Sequence, residues 1–432
     1  MDFVENLEKY LSKEDIEKLL NAQQEKRTNS FIVNTKKCDV GLLSKYFKTL
    51  EPHPFIKNVF YYDKDVDECG KNFLFDNGCY YIMDASSLLV SHFLKLNEND
   101  YILDMCAAPG GKTISTILNS NCHVEVISND LNHERSLTLA QNVERLGLDN
   151  VIVTNSNLES VYENYKNTFD KIILDAPCSG SSMFRKNELM KNDWTFEKVQ
   201  KQANIQKRLL EIAFEMLKPG GVIAYSTCSF SYEENENVIL NFIKNNEGSS
   251  LINLPTIEGE YRSKDLPEAI HLFPHLYRGE GLFICFIKKD ENIISSSSSK
   301  RKKSKNKSTN YQKDFNLNYK YEELINDKVF CFNNELDLSK FYIIKKGLHL
   351  GTVSKNNFVP SFHLAHYLDN SESISLTEDD LKLYIHGDVI NKNLPQKNGY
   401  YVVAFDGINL GYVKKVNCQL KNFYPKGLRH LI

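Results

Sequence analysis

Short apolar runs alternate with amphipathic segments through the middle of the chain, from about residue 101 to residue 289. The runs are rich in Val, Ile and Leu, which is typical of strands buried on both faces. The longer segments between them, such as 133–146 and 196–217, carry apolar residues at helical spacing. This alternation predicts an α/β fold, a doubly wound parallel sheet with helices on both faces. The predicted strands are 101–105, 124–128, 151–153, 172–174 and 222–225.

The regions on either side of this alternation have different patterns. The first 27 residues look helical, and the runs 31–33 and 59–62 look like strands, so a small α+β domain is expected there. The segment 295–310 has no apolar residue that could be buried and predicts a flexible linker. Because the linker separates it from the rest, we expect the C-terminal part to fold separately. The predicted parts are an N-terminal domain, an α/β domain, a basic disordered linker and a C-terminal region, at 1–95, 96–290, 291–312 and 313–432.

Composition narrows the class of protein without identifying it. Hydrophobic residues make up 41% and charged residues 25% of 432, as in globular proteins that hold more than one core. No apolar run is long enough for a transmembrane helix, and the first residues do not resemble a signal peptide. The ten cysteines include no C-x-x-C pair, which argues against a zinc site and a disulfide framework. We therefore expect a cytoplasmic protein with no membrane contact and no metal.

A basic tract stands out from the net charge of −3. Residues 295–307 carry six positive charges and no negative ones, which could hold phosphate groups electrostatically. A solvated linker would have the same composition, and the sequence leaves both interpretations open. The positive residues are Lys300, Arg301, Lys302, Lys303, Lys305 and Lys307.

A loop of small residues, DMCAAPGGKT at 104–113, follows the first predicted strand and begins a helix. Glycines in such a loop let the backbone approach a ligand, and the helix N-terminus behind them favours a carboxylate or phosphate. The loop is neither the G-x-G-x-x-G dinucleotide pattern nor a phosphate-binding P-loop, which would need glycine at Cys106. Asp130 follows the second strand, where an acid can accept hydrogen bonds from ribose hydroxyls. A structural turn followed by an acid would give the same pattern.

Two cysteines lie on loops that follow predicted strands. DAPCSG at 175–180 contains Cys178, and STCS at 226–229 contains Cys228. Carboxyl ends of parallel strands share one edge of a sheet, so both cysteines are expected near the loop of small residues. The thiolate is the reactive form of cysteine, and nearby cations lower the thiol pKa. The candidate cations are Lys112, Arg185 and Lys186.

Together these motifs resemble the RNA (cytosine-5) methyltransferases of the Sun/Nop family, and the bacterial ribosomal RNA branch of the RsmF type is most similar. The likeness spans nearly the whole chain and implies a Rossmann-like class I methyltransferase domain that uses S-adenosyl-L-methionine. It also implies RNA binding by the N-terminal domain and by a PUA-like C-terminal region. The matching stretches are DMCAAPGGKT (104–113), DAPCSG with MFRK (175–186), YSTCS with EENE (225–236), HLFPHLYRGEGLF (271–283), MDASSLL (83–89) and LKNFYPKGLR (420–429).

The resemblance also implies roles for individual residues. Addition of a thiolate to carbon 6 of cytosine makes carbon 5 nucleophilic towards a methyl group. By the likeness, Cys228 is this nucleophile and Cys178 assists product release. Lys112 and Asp175 line the target pocket, and Asp175 could supply an acid at ring nitrogen 3. Spacing alone does not decide which cysteine attacks, because DNA cytosine methyltransferases use the Pro-Cys cysteine. The implied cofactor and base site is Cys106, Ala107, Ala108, Pro109, Gly110, Gly111, Lys112, Asp130, Asn157 and Asp175.

At some positions this chain differs from the family pattern. These differences bear on which RNA is methylated more than on the reaction itself. The positions are Asn157, Ser181-Ser182, Met83 and Ile32. The expected activity is methylation of carbon 5 of a cytosine in small-subunit ribosomal RNA by a monomer. Its expected partner is that RNA or an assembling small ribosomal subunit. The alternatives are a DNA cytosine methyltransferase, a transfer RNA cytosine-5 methyltransferase and a non-catalytic ribosome-assembly factor that binds RNA.

Overall fold

The structure is a computed structural model that describes residues 1–186, 188–292, 310–354, 357–368 and 372–429. The basic tract 295–307 lies outside these ranges, so its contact with RNA stays a prediction. No helix within the described ranges is long and apolar enough to cross a membrane.

The N-terminal part is a small antiparallel sheet with helices around it. Its elements are α1 Phe3–Leu7, α2 Lys13–Ala22, β1 Asn29–Val33, α3 Val40–Tyr46, β2 Glu51–Pro52, β3 Val59–Tyr62, α4 Phe73–Asp76, β4 Tyr80–Ile82 and α5 Ala85–Phe93. The strand order is β2-β3-β1-β4. The side chains of Asp2 and Ser12 accept hydrogen bonds from first-turn amides, so the predicted helical stretch divides into α1 and α2.

The middle of the chain forms the predicted doubly wound sheet. Its elements are β5 Tyr101–Asp104, α6 Gly111–Leu118, β6 Glu125–Asn129, α7 His133–Leu146, β7 Val151–Thr154, α8 Leu158–Val161, β8 Phe169–Asp175, α9 Glu188–Asn192, α10 Phe196–Met216, β9 Leu217–Thr227, α11 Glu236–Asn245, β10 Ser249–Ile252, β11 Ile270–Leu272 and β12 Leu282–Lys289. Strands β7-β6-β5-β8-β9 are parallel, and β12 joins β9 antiparallel. Two apolar cores cover the faces of this sheet. The predicted fold class is confirmed.

The C-terminal part contains two further sheets. Its elements are β13 Tyr321–Ile325, β14 Lys328–Phe332, β15 Ile343–Lys346, β16 Leu348–Ser354, β17 Asn357–Pro360, β18 Ile374–Ser375, α12 Glu378–His386, β19 Ile390–Asn391, β20 Gly399–Phe405, β21 Ile408–Val416 and β22 Gln419–Asn422. One sheet has the order β13-β14-β16-β17, and the other has the order β18-β20-β21-β22-β19. Strand β15 belongs to neither sheet.

Strand β15 instead pairs antiparallel with β7 and extends the main sheet. Just before it, the ring of Phe341 packs 4.7 Å from that of Tyr165, centroid to centroid. The last sheet shares a core with the N-terminal domain, and the Tyr424 hydroxyl donates to Asp76 over 2.8 Å. The C-terminal part thus contributes to the apolar cores of both other domains, and its separate folding stays a prediction.

Candidate active site

The predicted motifs meet at the edge of the main sheet where β5, β8 and β9 end. The loops after these strands line a cavity of about 480 Å³. No group of three His, Cys, Asp or Glu residues in the described part of the chain could hold a metal ion. The predicted site residues that line the cavity are Cys106, Ala107, Ala108, Pro109, Gly111, Lys112, Asp175 and Cys228.

Lys112 and Asp175 form an ion pair in this cavity. Lys112 Nζ lies 2.8 Å from Asp175 Oδ2 and donates to Ser87 Oγ over 3.2 Å. The Ser226 hydroxyl donates to the other carboxylate oxygen of Asp175 over 2.7 Å. Burial disfavours the ammonium, but the Asp175 carboxylate outweighs it and raises the pKa of Lys112. Lys112 is therefore a cation held at a defined place in the cavity wall.

Cys178 and Cys228 contact each other across their two loops, with 2.9 Å between their sulfur atoms. The contact with the Cys178 thiol lowers the pKa of Cys228, and the Lys112 cation lowers it further against the effect of burial. The same contact, together with burial, raises the pKa of Cys178. Cys228 lines the cavity, whereas Cys178 does not. The more acidic thiol is thus the one that faces the cavity.

Of the three candidate cations, Lys112 is the one that acts on Cys228. Arg185 is buried against Glu280, with its Nε 3.2 Å and its Nη2 3.0 Å from the two carboxylate oxygens. Lys186 lines the cavity but is exposed. Among the candidates, Arg185 is paired with Glu280 and is therefore not the cation that acts on Cys228.

Asp104 lines the cavity although it was absent from the predicted set. It ends β5 and is fully buried. Its Oδ2 accepts from the Thr113 hydroxyl over 2.7 Å, and its Oδ1 has no hydrogen-bond partner among the described residues. Burial, with a smaller effect from nearby Asp175, raises the pKa of Asp104 to about 7. An acid directly after a predicted strand is the signal that singled out Asp130, and it did not find Asp104 because the predicted strand 101–105 runs one residue past it.

Three predicted cofactor residues lie outside the cavity wall. Asp130 is buried, with one oxygen accepting from the Ala108 amide over 3.2 Å and lying 3.5 Å from Arg135 Nη2. Asn157 is exposed, and its side chain accepts from a first-turn amide of α8. Gly110 begins α6 with a φ of 118°, which favours glycine. Asp130 thus braces the loop of small residues, and cofactor contacts of these three residues stay predictions.

The N-terminal part supplies one wall of the cavity, through residues 27–30 and the start of α5. Among the departing positions, Met83 and Ser182 line the cavity. Ser181 is buried and its hydroxyl accepts from a backbone amide, while Ile32 is fully buried in β1. Of the residues that differ from the family pattern, Met83 and Ser182 are therefore placed where they could contact a substrate.

Family models match nearly the whole chain in four consecutive stretches. They are described as the N-terminal domain of 16S rRNA methyltransferase RsmF, 16S rRNA methyltransferase RsmB/F, the RsmF rRNA methyltransferase first C-terminal domain and the methyltransferase RsmF PUA domain. The matched residues are, in the same order, 1–85, 91–288, 310–368 and 371–430.

Individual relatives agree with these models. The ribosomal RNA small subunit methyltransferase F of Vibrio parahaemolyticus is 29% identical over 450 residues, covering 96% of this chain and 94% of the relative. The protein of the same name from Shewanella piezotolerans is 28% identical, covering 93% and 90%. A crystal structure titled as a methyltransferase homolog protein from Pyrococcus horikoshii is 30% identical with a TM-score of 0.57, covering 66% of this chain and 93% of that chain.

The doubly wound sheet, with its cavity at the carboxyl edge, defines the class as a Rossmann-like methyltransferase. The chain belongs to the RsmB/F family of 16S rRNA methyltransferases, as a member of the RsmF type.

Proposed function

We propose that this protein transfers a methyl group to carbon 5 of a cytosine in small-subunit ribosomal RNA through a covalent bond between Cys228 and the base. The contact between two thiols beside the Lys112–Asp175 ion pair carries this proposal. The names of the relatives, and the match to the RsmF PUA domain, support ribosomal RNA or an assembling small subunit as the partner.

The cavity residues fit S-adenosyl-L-methionine as the cofactor. Oδ1 of Asp104, which has no partner in the part of the chain that the structure describes, is an acceptor for an ammonium group, and the N-terminus of α6 suits a carboxylate. When bound, the cofactor supplies an electrophilic methyl group on a sulfonium. The proposed binding set comprises Asp104 and the predicted residues Cys106, Ala107, Ala108, Pro109, Gly110, Gly111, Lys112, Asp130, Asn157 and Asp175.

Cys228 is the proposed nucleophile because its thiol faces the cavity and its pKa is lowered. Its sulfur forms a bond to carbon 6 of cytosine, and the electron pair of the C5–C6 double bond moves to carbon 5. Carbon 5 then takes the methyl group. The target base must leave its stack to enter the cavity, which costs a few kcal/mol and less in an RNA loop.

Lys112 and Asp175 are proposed to hold the ring and to share a proton with its nitrogen 3 as charge develops there. A water molecule in the cavity accepts the carbon 5 proton, the electron pair of that C–H bond re-forms the C5–C6 double bond, and the bond between carbon 6 and the Cys228 sulfur breaks with its electrons on the sulfur. Cys178 assists this release, because its thiol can donate to the sulfur that leaves. The two thiols thus serve different steps.

The test is methyl transfer from labelled S-adenosyl-L-methionine to small-subunit ribosomal RNA, free and in assembled subunits, followed by nucleoside mass spectrometry. We expect 5-methylcytidine in one of these substrates and none with Cys228→Ser. Transfer RNA and DNA serve as alternative substrates. A methyl group on another atom, preferential labelling of DNA or transfer RNA, or RNA binding without methylation would overturn the proposal.

A further inference from the structure

One buried carboxylate, that of Glu234, connects the loops of the two cysteines. Its Oε1 accepts from the Ser179 amide over 2.8 Å, and its Oε2 accepts from the Ser229 hydroxyl over 2.6 Å. Oε2 also accepts from the Ser179 hydroxyl. Ser179 follows Cys178 and Ser229 follows Cys228, so Glu234 bonds to both Cys-Ser pairs.

The Glu234 carboxylate is itself held firmly. Gln206 Nε2 donates to Oε1 over 3.0 Å, and the Tyr225 hydroxyl donates to the Glu234 carbonyl over 2.7 Å. The hydroxyl oxygens of Ser179 and Ser229 lie 3.0 Å apart. Glu234 is fully buried, and burial raises the pKa of its carboxyl group, while the four donors that bond to its oxygens act in the opposite direction.

We propose that Glu234 is a positioning residue that holds the Cys178 and Cys228 loops in register, so that the two sulfur atoms stay in contact. The inference rests on the proposed roles of these cysteines. The loops follow different strands, β8 and β9. Without a shared anchor, the Cys178 and Cys228 side chains could adopt rotamers in which their sulfur atoms no longer touch. A shared anchor one residue beyond each cysteine restricts both loops at once.

Positioning and simple charge repulsion by Glu234 have opposite consequences for Cys228. Its carboxylate charge raises the pKa of both thiols. The contact between the sulfur atoms lowers the pKa of Cys228, raises that of Cys178, and has the larger effect. If Glu234 positions the loops, its loss makes the Cys228 thiol less acidic and the Cys178 thiol more acidic. If it acts through charge alone, its loss makes both more acidic.

Glu234→Gln is the variant that separates these cases. It keeps the side-chain shape and one oxygen to face the Ser179 amide and Gln206, but its amide nitrogen cannot accept, so the Ser179 and Ser229 hydroxyls lose the carboxylate oxygen to which both donate. Iodoacetamide alkylation is followed across pH without RNA or cofactor, and the peptides of Cys178 and Cys228 are quantified by mass spectrometry. We expect Cys228 to react about fivefold more slowly at neutral pH, the equivalent of one hydrogen bond.

Glu233→Gln is the matched control, because Glu233 bonds to Lys9 and Asn6 rather than to the cysteine loops. Its alkylation profile should equal that of the wild type. Should Glu234→Gln fail to fold, Ser229→Ala removes one donor while keeping the carboxylate, and Cys228 should again react more slowly. Unchanged alkylation in a folded variant, or faster alkylation of both thiols, would overturn the inference.

Turnover separates this inference from the proposed function. With Glu234→Gln we expect a lower kcat and an unchanged KM for RNA. If the wild type makes 5-methylcytidine and the variant matches it in kcat and alkylation, Glu234 has no positioning role while the proposed function holds. If the wild type makes no 5-methylcytidine but alkylation changes as expected, the proposed function fails while the thiol pair is still positioned by Glu234.

Discussion

The sulfur atoms of Cys178 and Cys228 lie 2.9 Å apart, although 50 positions separate the two residues in the chain. A shared hydrogen between two thiols makes one the donor and the other the acceptor. The Lys112 cation acts on Cys228, and the cavity is lined by Cys228. Cys228 is therefore the more acidic thiol of the pair. Loss of either cysteine should therefore have a different consequence.

Cys228→Ser should abolish turnover, because a serine hydroxyl is a far weaker nucleophile than a thiolate at neutral pH. The variant should still bind RNA and cofactor, since the rest of the cavity is unchanged. Denaturing gels with labelled RNA should show no covalent protein–RNA band. Normal methylation by this variant would contradict the covalent role of Cys228.

Cys178→Ser should leave Cys228 free to attack while slowing release of the product. We expect a slowly migrating protein–RNA band on a denaturing gel that requires the cofactor and disappears in the double variant. A band that forms with Cys228→Ser and not with Cys178→Ser would reverse the two roles. Full activity of both single variants would exclude the covalent route.

Cofactor binding should depend on pH through Asp104. Its pKa is raised to about 7, so the carboxylate is mostly protonated at pH 6 and mostly ionised at pH 8. An ammonium group needs the ionised form, and S-adenosyl-L-methionine should bind about tenfold more weakly at pH 6 than at pH 8. Calorimetry at both pH values measures this difference.

The stability of the protein without cofactor should depend on pH through Asp104 with the opposite sign. A carboxyl group whose folded-state pKa is raised stabilises the fold fully below its unfolded pKa of about 4, and this contribution is lost as pH rises from about 4 to about 7. Asp104→Asn should remove both pH dependences and bind the cofactor weakly throughout. A variant that keeps the wild-type pH dependence of binding would exclude Asp104 as the titrating group.

Asp130→Ala should weaken cofactor binding, because the Ala108 amide loses its acceptor and the loop of small residues loses its brace. At about 100 times the dissociation constant the cofactor should stabilise the wild type by roughly 2.7 kcal/mol, and tenfold weaker binding reduces this to about 1.4 kcal/mol. Thermal unfolding with and without cofactor gives both values. An unchanged cofactor effect would remove Asp130 from the site.

Asn157→Ala is the comparison variant for Asp130→Ala, since Asn157 caps α8 at the protein surface. Loss of the cap should lower the free energy of unfolding by about 1 kcal/mol. If Asn157 also contributes to cofactor binding, the cofactor should stabilise this variant less than it stabilises the wild type, in addition to the lower free energy of unfolding. A cofactor effect equal to that of the wild type would limit Asn157 to its capping role.

Phe341→Ala changes a residue of the C-terminal part, and it should destabilise the methyltransferase sheet against which that residue packs. Phe341 is buried against Tyr165, and removal of a buried aromatic ring costs about 3–5 kcal/mol. Tyr342→Ala is the matched control, because the Tyr342 side chain is 63% exposed and its change should cost no more than about 0.5 kcal/mol. Denaturant titration measures both. Equal midpoints for the two variants would contradict the shared core.

The strands and the cavity edge were predictable because their causes are local. A run of Val, Ile and Leu residues identifies each buried strand, and the residues after it must lie at the carboxyl edge of a parallel sheet. This placed Cys106, Asp175 and Cys228 around one cavity, as the structure does. Asp104 was missed because it lay inside the predicted strand 101–105, whereas β5 ends at this residue and leaves it in the cavity wall.

The sequence by itself determined the doubly wound sheet, the loop of small residues and the presence of a cysteine after each of two neighbouring strands. Only the tertiary structure decided which thiol is the more acidic, because the contact with Cys178 and, to a smaller extent, the Lys112 charge lower the pKa of Cys228 across separate loops. It also decided that β15 extends the main sheet and that Glu234 joins both cysteine loops. Contacts between distant segments depend on how side chains pack together, and no periodicity along the chain records that packing.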